Sequence, residues 1–222
     1  MRGPSTPAAR RAIELFDNAP RGDRFHVRAR WWTCPLPAVE RAVPAKGRIL
    51  EVGAGHGLLS FFLALSSRDR DVTGIDIDVH KIALADHAAT RLAPNEATIA
   101  FAVVEPGAMP DGPFDGIVIN DVLYLLGDDQ RRKVLADCIE RLAPGGVLVV
   151  KELDVTPRWK YEIGRLQEIV ATRVLSYTQG DRVEIAPMRE FVDQLEAAGL
   201  ATTSARVDRG YLHPHQLVVG RR

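Results

Sequence analysis

The sequence predicts an α/β fold: a doubly wound, mixed sheet of seven strands with helices on both faces. Short apolar runs rich in β-branched residues alternate with stretches in which apolar residues recur at helical spacing. This order is typical of a parallel sheet with helical crossovers. The last two runs are separated only by residues 208–215, which are too few for such a crossover. We therefore expect the last strand to be antiparallel.

The predicted elements follow in order from Arg48. Helices are predicted around residues 82–92, around residues 134–142 before the stop at Pro144-Gly145-Gly146, and around residues 190–198. The predicted strands are Arg48–Val52, Asp71–Asp76, Thr98–Val104, Phe114–Asn120, Val147–Leu153, Ala201–Val207 and Gln216–Gly220.

Residues 1–47 predict a helical cap before the sheet. One helix is expected to start near Thr6-Pro7, because threonine is a good N-cap and proline suits the first turn, and a shorter one near Pro35. Residues 48–222 then form a single domain, with a helical insertion at about 157–176. A chain of 222 residues is long enough to bury such a core without disulfides or metals.

Composition excludes several classes of protein. The 29 basic residues equal the 29 acidic ones, which argues against a nucleic-acid-binding protein. The longest apolar runs, such as Leu58–Leu65, are far shorter than the roughly 20 residues of a membrane span. No apolar stretch follows the charges of residues 1–11, so we expect a cytoplasmic protein. Cys34 and Cys138 lack the spacing of a disulfide framework or a zinc site.

The most informative motif is a glycine loop that follows the first strand. It reads Glu51-Val52-Gly53-Ala54-Gly55-His56-Gly57-Leu58, and three glycines at alternate positions allow the backbone to approach a nucleotide-like ligand closely. A dinucleotide site would require a third small residue at position 58, where this chain has leucine. The spacing G-x-G-x-G after a glutamate instead resembles motif I of the class I S-adenosylmethionine-dependent methyltransferases.

Three further segments resemble that family in order. They are Val72–Asp76, a strand that ends in an acid 23 positions after Gly53; Phe114–Tyr124, a strand with its loop; and Leu142–Leu148, a turn into a strand. The resemblance covers about residues 48–153 and implies a Rossmann-like fold with S-adenosylmethionine as cofactor and S-adenosylhomocysteine as product.

The resemblance also assigns cofactor-binding residues. Asp76 would accept both ribose hydroxyls, Ile77 would lie against the adenine face, Glu51 would hold the methionine amino group, and Glu105 would accept from the adenine amino group. The sequence departs from the family at Pro106, which has no N–H to offer the adenine ring. The rest of the implied set is Gly53, Ala54, Gly55, Gly57 and Asn120.

Titratable residues at the carboxyl ends of the strands are the candidates for the acceptor side. A hydroxyl or carbon acceptor usually needs a general base, whereas an amine or thiolate needs little beyond positioning. The final hairpin is the preferred candidate for that base, although histidines beside a proline are also common as structural loop residues. The candidates are Asp121, Tyr124, Glu152, Asp154, Tyr211, His213 and His215.

Each candidate also has a purely structural interpretation. Asp121 could cap a helix or orient its loop, and Tyr124 could be half-buried core. His213-Pro214-His215 is too short a match to indicate a metal, and no metal is predicted.

Residues 21–32 mix cations with aromatic residues. One interpretation is a lid over the cofactor, with Arg30 or Arg24 pairing the methionine carboxylate. The other is a solvated basic helix whose Trp31 and Trp32 pack on the sheet. The apolar face of residues 159–174 could cover the acceptor pocket or join a second subunit, so both a monomer and a homodimer remain open.

The sequence therefore predicts a methyltransferase that acts on a small molecule, either acidic or phosphate-bearing and partly apolar. Two alternatives remain. Pro106 leaves open a non-catalytic partner or sensor that binds S-adenosylmethionine, and an NAD-dependent oxidoreductase is disfavoured by Leu58.

Overall fold

The computed structural model describes residues 3–154 and 186–222, and their sheet has seven strands. The predicted helical insertion at about 157–176 lies outside these residues. The strands are β1 (Gly47–Val52), β2 (Arg70–Asp76), β3 (Thr98–Val103), β4 (Phe114–Asn120), β5 (Leu142–Leu153), β6 (Ala201–Arg206) and β7 (His215–Arg221). The helices are α1 (Pro7–Glu14), α2 (Arg21–Thr33), α3 (Leu36–Ala42), α4 (Leu58–Ser66), α5 (Val79–Ala89), α6 (Asp128–Glu140) and α7 (Met188–Ala197), with a 3-10 turn at Leu123–Leu125.

The strand order is β3-β2-β1-β4-β5-β7-β6. Strands β1 to β5 pair in parallel, and β7 pairs antiparallel with both β5 and β6. The predicted mixed sheet with an antiparallel last strand is therefore confirmed. Because β6 runs in the same direction as β1 to β5, the hairpin loop at residues 207–214 lies at their carboxyl ends. The order reverses between β1 and β4, where open α/β sheets bind ligands.

Each face of the sheet is covered by helices. Alternate residues of the central strands point to opposite faces, so Val149 belongs to the core with Phe61 of α4, whereas Leu148 belongs to the core with Leu135 of α6 and Leu195 of α7. This alternation confirms the doubly wound architecture.

Two features of the fold differ most from the sequence-based expectations. The sixth helix ends at Glu140, and Leu142 already pairs with Phe114 as the start of β5, ahead of a bulge in the ladder. Helix α2 is a separate element between the two expected cap helices. Thr6 caps α1 as expected, since its hydroxyl accepts the N–H of Ala9 at 3.1 Å.

The cap is fastened to the sheet through Arg70, the first residue of β2. Its buried guanidinium donates to the Glu40 carboxylate and to four main-chain carbonyls, those of Pro44, Leu63, Glu40 and Val43. The shortest of these hydrogen bonds is 2.7 Å, to Pro44, and the longest is 3.4 Å, to the Glu40 carbonyl. Within residues 3–154 and 186–222, none of the helices is both long and apolar enough to cross a membrane.

Candidate functional site

The glycine loop leaves β1 and opens α4 at the point where the strand order reverses. Gly57 precedes α4 with φ +79°, and a Cβ there would lie 2.6 Å from the Phe101 ring, so packing alone requires this glycine. Gly55 has φ +54°, and a Cβ there would meet only the Lys81 side chain at 3.8 Å. The loop therefore presents open backbone at Gly55, where a ligand can approach it closely.

The loop is held in place by β2. The N–H groups of Gly53 and Ala54 both donate to the carbonyl of Ile75, at 2.8 and 2.9 Å. The carboxylate of Asp76 accepts the N–H of Gly55 at 2.7 Å and that of Asp78 at 2.9 Å. Each oxygen of Asp76 thus has one backbone donor and keeps a further lone pair for a ligand hydroxyl.

Glu51 is buried near the end of β1, ahead of the glycine loop. The Ser60 hydroxyl of α4 donates to its carboxylate. Burial raises the pKa of Glu51 to about 8 in spite of that hydrogen bond. A cationic group placed beside Glu51 would favour the ionised form, because an opposite charge offsets the cost of desolvation.

Exposed apolar side chains flank Asp76. Ile77 is 59% exposed after β2, and Val103 at the end of β3 is 45% exposed. Glu105 and Pro106 lie exposed in the following turn, where the Glu105 carbonyl accepts the N–H of Ala108 at 2.9 Å. The residues predicted for ribose and adenine are therefore adjacent on one edge of the sheet.

Helix α2 lies across the glycine loop. Asp23 contacts His56 of the loop at 3.1 Å between Oδ1 and Nε2, and the rings of His26 and His56 are 4.8 Å apart. Burial, followed by the neighbouring His56, lowers the pKa of His26 to about 4. Trp31 packs on Phe62 of α4 with ring centroids 5.1 Å apart.

Helix α2 therefore contacts both the glycine loop, through Asp23 and His26, and helix α4, through Trp31, and its role as a lid over the cofactor stays a prediction. Trp32 remains 41% exposed and is not buried on the sheet. Arg24 bonds the Asp17 carbonyl at 3.0 Å and so remains within the cap.

A cluster of charged groups, the Asp121 cluster, lies at the carboxyl end of β4. It consists of Asp121, Lys151 of β5, Arg30 of α2 and Cys34. The Lys151 Nζ lies 2.5 and 2.6 Å from the two Asp121 oxygens, and the Arg30 Nη2 lies 2.7 Å from Oδ2. The Cys34 thiol donates to Asn120 Oδ1 at 3.5 Å and to Asp121 at 3.7 Å. The predicted cofactor residue Arg30 is therefore paired with Asp121 in this structure.

The electrostatics of the Asp121 cluster keep its carboxylate charged. Burial alone would raise the pKa of Asp121, but Lys151 and Arg30 lower it below its ordinary value. Asp121 also adopts φ +58°, a conformation that residues other than glycine seldom take, and such strain is often found at functional sites. The cluster therefore fixes the loop after β4 against both β5 and the α2 helix.

The hairpin loop brings three predicted acceptor-side residues together. The ring of His215 lies 5.6 Å from that of Tyr211 and 6.0 Å from that of His213. The Nε2 atom of His215 lies 2.7 Å from the Thr33 carbonyl at the end of α2. Burial, followed by the charge of Lys151, lowers the pKa of His215 to about 3. The neutral ring therefore joins the hairpin loop to α2.

Glu152 and Asp154 alternate with Lys151 along the chain, so their side chains lie on the opposite face from the Lys151 side chain. Glu152 Oε1 accepts the N–H groups of Val122 and Leu123, both at 2.8 Å, and so orients the turn that carries Tyr124. Burial, followed by Asp121, raises the pKa of Glu152 to about 8. Asp154 accepts the N–H of Met188 at 3.5 Å, at the start of α7.

Sequence reasoning missed Lys151, Cys34 and the Asp23–His56 pair as parts of the site. The sequence pattern could have identified Lys151. A cation directly after the apolar run Val147–Val150 lies at the buried end of a strand and needs a partner there. Cys34 and the Asp23–His56 pair had none, since their contacts depend on how α2 packs. Among the described residues, no group of three or more histidine, cysteine or acidic side chains is arranged to hold a metal ion.

Comparisons with known proteins agree with this geometry. A family model described as a methyltransferase domain matches residues 50–148. An uncharacterized protein of Synechococcus sp. is 31% identical over 180 residues, which cover 78% of this chain and 40% of that protein. A ubiquinone biosynthesis O-methyltransferase of Xanthomonas axonopodis pv. citri is 30% identical over 155 residues, which cover 61% of each chain.

The fold is also that of a solved methyltransferase. Magnesium protoporphyrin IX methyltransferase from Synechocystis, solved with bound S-adenosylhomocysteine, superimposes with a TM-score of 0.67 at 15% identity, over 96% of this chain and 93% of that one. This chain spans only 40% and 61% of the two relatives that are similar in sequence. The matched region, the glycine loop and the strand order lead to one conclusion: residues 50–148 are similar to methyltransferase domains, and the sheet around them has the fold of a solved S-adenosylhomocysteine-bound methyltransferase.

Proposed function

We propose that this chain binds S-adenosylmethionine at the glycine loop and transfers its methyl group to a small molecule. The observation that carries the proposal is the open backbone at Gly55, whose N–H donates to the carboxylate of Asp76 and which follows Glu51 in the loop after β1. When bound, the cofactor supplies an activated methyl group on a sulfonium ion.

The residues around the glycine loop fit such a group. Asp76 has lone pairs for two ribose hydroxyls, and the exposed Ile77 offers an apolar surface for the adenine ring. The methionine ammonium would favour the charged form of Glu51, because an opposite charge offsets the cost of burying that carboxyl. Leu58 is buried at the start of α4, so the small residue of a dinucleotide motif is absent.

The acceptor would lie beside the Asp121 cluster and the hairpin loop. This edge combines the half-buried rings of Tyr211 and His213 with the apolar side chains of Leu125 and Leu212, which are 40% and 45% exposed. Helix α2 covers the glycine loop and limits the access of water, which is the main requirement for an in-line displacement. A small, partly apolar acceptor suits this surface, and the Xanthomonas O-methyltransferase favours a hydroxyl as the group that is methylated.

Asp76→Ala is expected to weaken the binding of S-adenosylhomocysteine by about 1 to 3 kcal/mol, because two ribose hydrogen bonds and the anchor of the Gly55 N–H are lost. Isothermal titration calorimetry measures the affinity, and thermal unfolding verifies that the variant is folded. Asp71→Ala is the matched control, since Asp71 is exposed on the same strand. Equal affinity in the Asp76 variant and the control would contradict the assignment of the ribose site.

A further inference from the structure

The outward side of helix α2 carries two exposed aromatic side chains. Phe25 is 75% exposed, and Trp32, whose ring is partly covered by the chain at Gly3, is 41% exposed. Because they are two helical turns apart, they project from the same side of the helix, about 10 Å from each other along its axis. Single exposed apolar residues are common on protein surfaces, but two aromatic side chains on one side of a helix form a patch.

Arginine side chains lie on the same side of α2. Arg21 and Arg28 are both exposed, and helical spacing places them beside Phe25. Arg28 pairs with Asp17 at 3.1 Å, but the pair is open to solvent and so holds the guanidinium only weakly. Asp23 is buried against the glycine loop and does not offset these charges on the outward side. The α2 outer face is therefore cationic and aromatic, and consists of Arg21, Phe25, Arg28 and Trp32.

The same combination of groups occurs in the hairpin loop beside the end of α2. The loop is joined to that end by the 2.7 Å contact between His215 Nε2 and the Thr33 carbonyl. Arg209 and Leu212 of the loop are both exposed. Exposed cationic and apolar groups are therefore found on both sides of this contact.

We propose that the α2 outer face binds the surface of an anionic phospholipid bilayer. Phenylalanine and tryptophan side chains enter the boundary between the head groups and the acyl chains, and guanidinium groups pair with lipid phosphates. The wider segment has the same sign of charge, since residues 1–48 contain ten basic and four acidic residues. The inference does not depend on the proposed function, because the glycine loop takes no part in it.

The geometry of the α2 outer face favours a bilayer over other partners. Its aromatic side chains project from the convex surface of one helix, which suits a flat, deformable boundary better than a rigid protein surface. A second copy of the chain fits poorly, because arginines would meet arginines across the interface. A nucleic acid or an acidic protein would match the charge, and the experiment separates these by the part that Phe25 and Trp32 play.

Flotation of the full chain with lipid vesicles tests the proposal. One set of vesicles is phosphatidylcholine alone, and the other also contains about 30% phosphatidylglycerol, which is anionic. We expect the protein to float with the anionic vesicles and not with phosphatidylcholine alone. Replacing both Phe25 and Trp32 with serine is expected to weaken binding at least about tenfold, because the buried aromatic area is lost. Replacing both Arg21 and Arg28 with glutamine is expected to weaken it about tenfold as well.

Two kinds of control accompany these variants. Arg132→Gln with Arg189→Gln removes two exposed arginines from α6 and α7, which cover the other face of the sheet, and should leave binding unchanged. Phe25→Trp and Trp32→Phe keep an aromatic ring at each position, so binding should stay within about threefold of the wild type. Circular dichroism verifies that every variant is folded.

Three outcomes would overturn the inference. The first is no binding to the anionic vesicles, or equal binding to both kinds of vesicle. The second is an equal loss of binding in the Arg132 and Arg189 control, which would show that net charge alone matters. The third is binding that the substitutions of Arg21 and Arg28 weaken but those of Phe25 and Trp32 do not, which would indicate a nucleic acid or an acidic protein as the partner.

Discussion

Replacing Asp121 with Asn is expected to lower the free energy of unfolding by about 3 kcal/mol. The Lys151 side chain is fully buried, and among the described residues its ammonium group hydrogen-bonds only to Asp121. An uncompensated buried charge is among the most costly defects in a folded protein. Asparagine tolerates the left-handed conformation at position 121, so the charge is the main thing that changes.

The control for this prediction removes the second charge as well. In the double variant Asp121→Asn with Lys151→Met, no buried ammonium needs a partner, and most of the lost stability is expected to return. Urea unfolding followed by circular dichroism measures all three proteins. A single variant as stable as the wild type, or a double variant no more stable than the single one, would show that the pair does not act as a compensated buried ion pair.

Replacing Arg70 with Met is expected to destabilise the fold by about 3 to 5 kcal/mol. Arginine has five N–H donors, and at Arg70 all five make hydrogen bonds, four of them to main-chain carbonyls. These carbonyls belong to α3, to the chain that follows it and to α4. Methionine fills much of the volume but leaves the carbonyls without donors in a buried place.

Two further variants test whether the donors, rather than the charge alone, account for this effect. Arg70→Lys keeps the charge but has three donors in a different geometry, so an intermediate loss is expected. Arg68→Met is the matched control, because Arg68 is exposed two residues earlier and should change the stability by less than about 0.5 kcal/mol. Equal stabilities of the Met and Lys variants at position 70 would contradict the role given to the five hydrogen bonds.

The sheet could be predicted because its strands carry strong local signals. The run from Val147 to Val150 is apolar at consecutive positions, and the run from Ile49 to Val52 is apolar except for Glu51, as expected of strands buried on both faces. The glycine loop after β1 could also be predicted, because the spacing of its glycines reflects the local backbone conformation. The start of β5 at Leu142 was missed because a helix stop and a bulge fall in the same short segment.

The contacts of the site could be predicted only in part. Asp121 and Arg30 were predicted as separate candidates. The 2.7 Å contact between Arg30 Nη2 and Asp121 Oδ2 depends on how α2 crosses the sheet, which the sequence does not show. The resemblance implied a sixth strand parallel to the first five and so a hairpin loop at their carboxyl ends, and the pairing of β7 with β5 and β6 confirms this. The tautomer of His215 depends on the Thr33 carbonyl, 182 residues away in sequence, which no local pattern reveals.

The most direct test of the central claim is a calorimetric titration of the wild-type protein with S-adenosylhomocysteine, with NAD titrated in parallel. The glycine loop, Glu51 and Asp76 predict saturable binding of S-adenosylhomocysteine at one site per chain and no binding of NAD. Binding of NAD in preference to S-adenosylhomocysteine, or binding of neither ligand, would contradict the account.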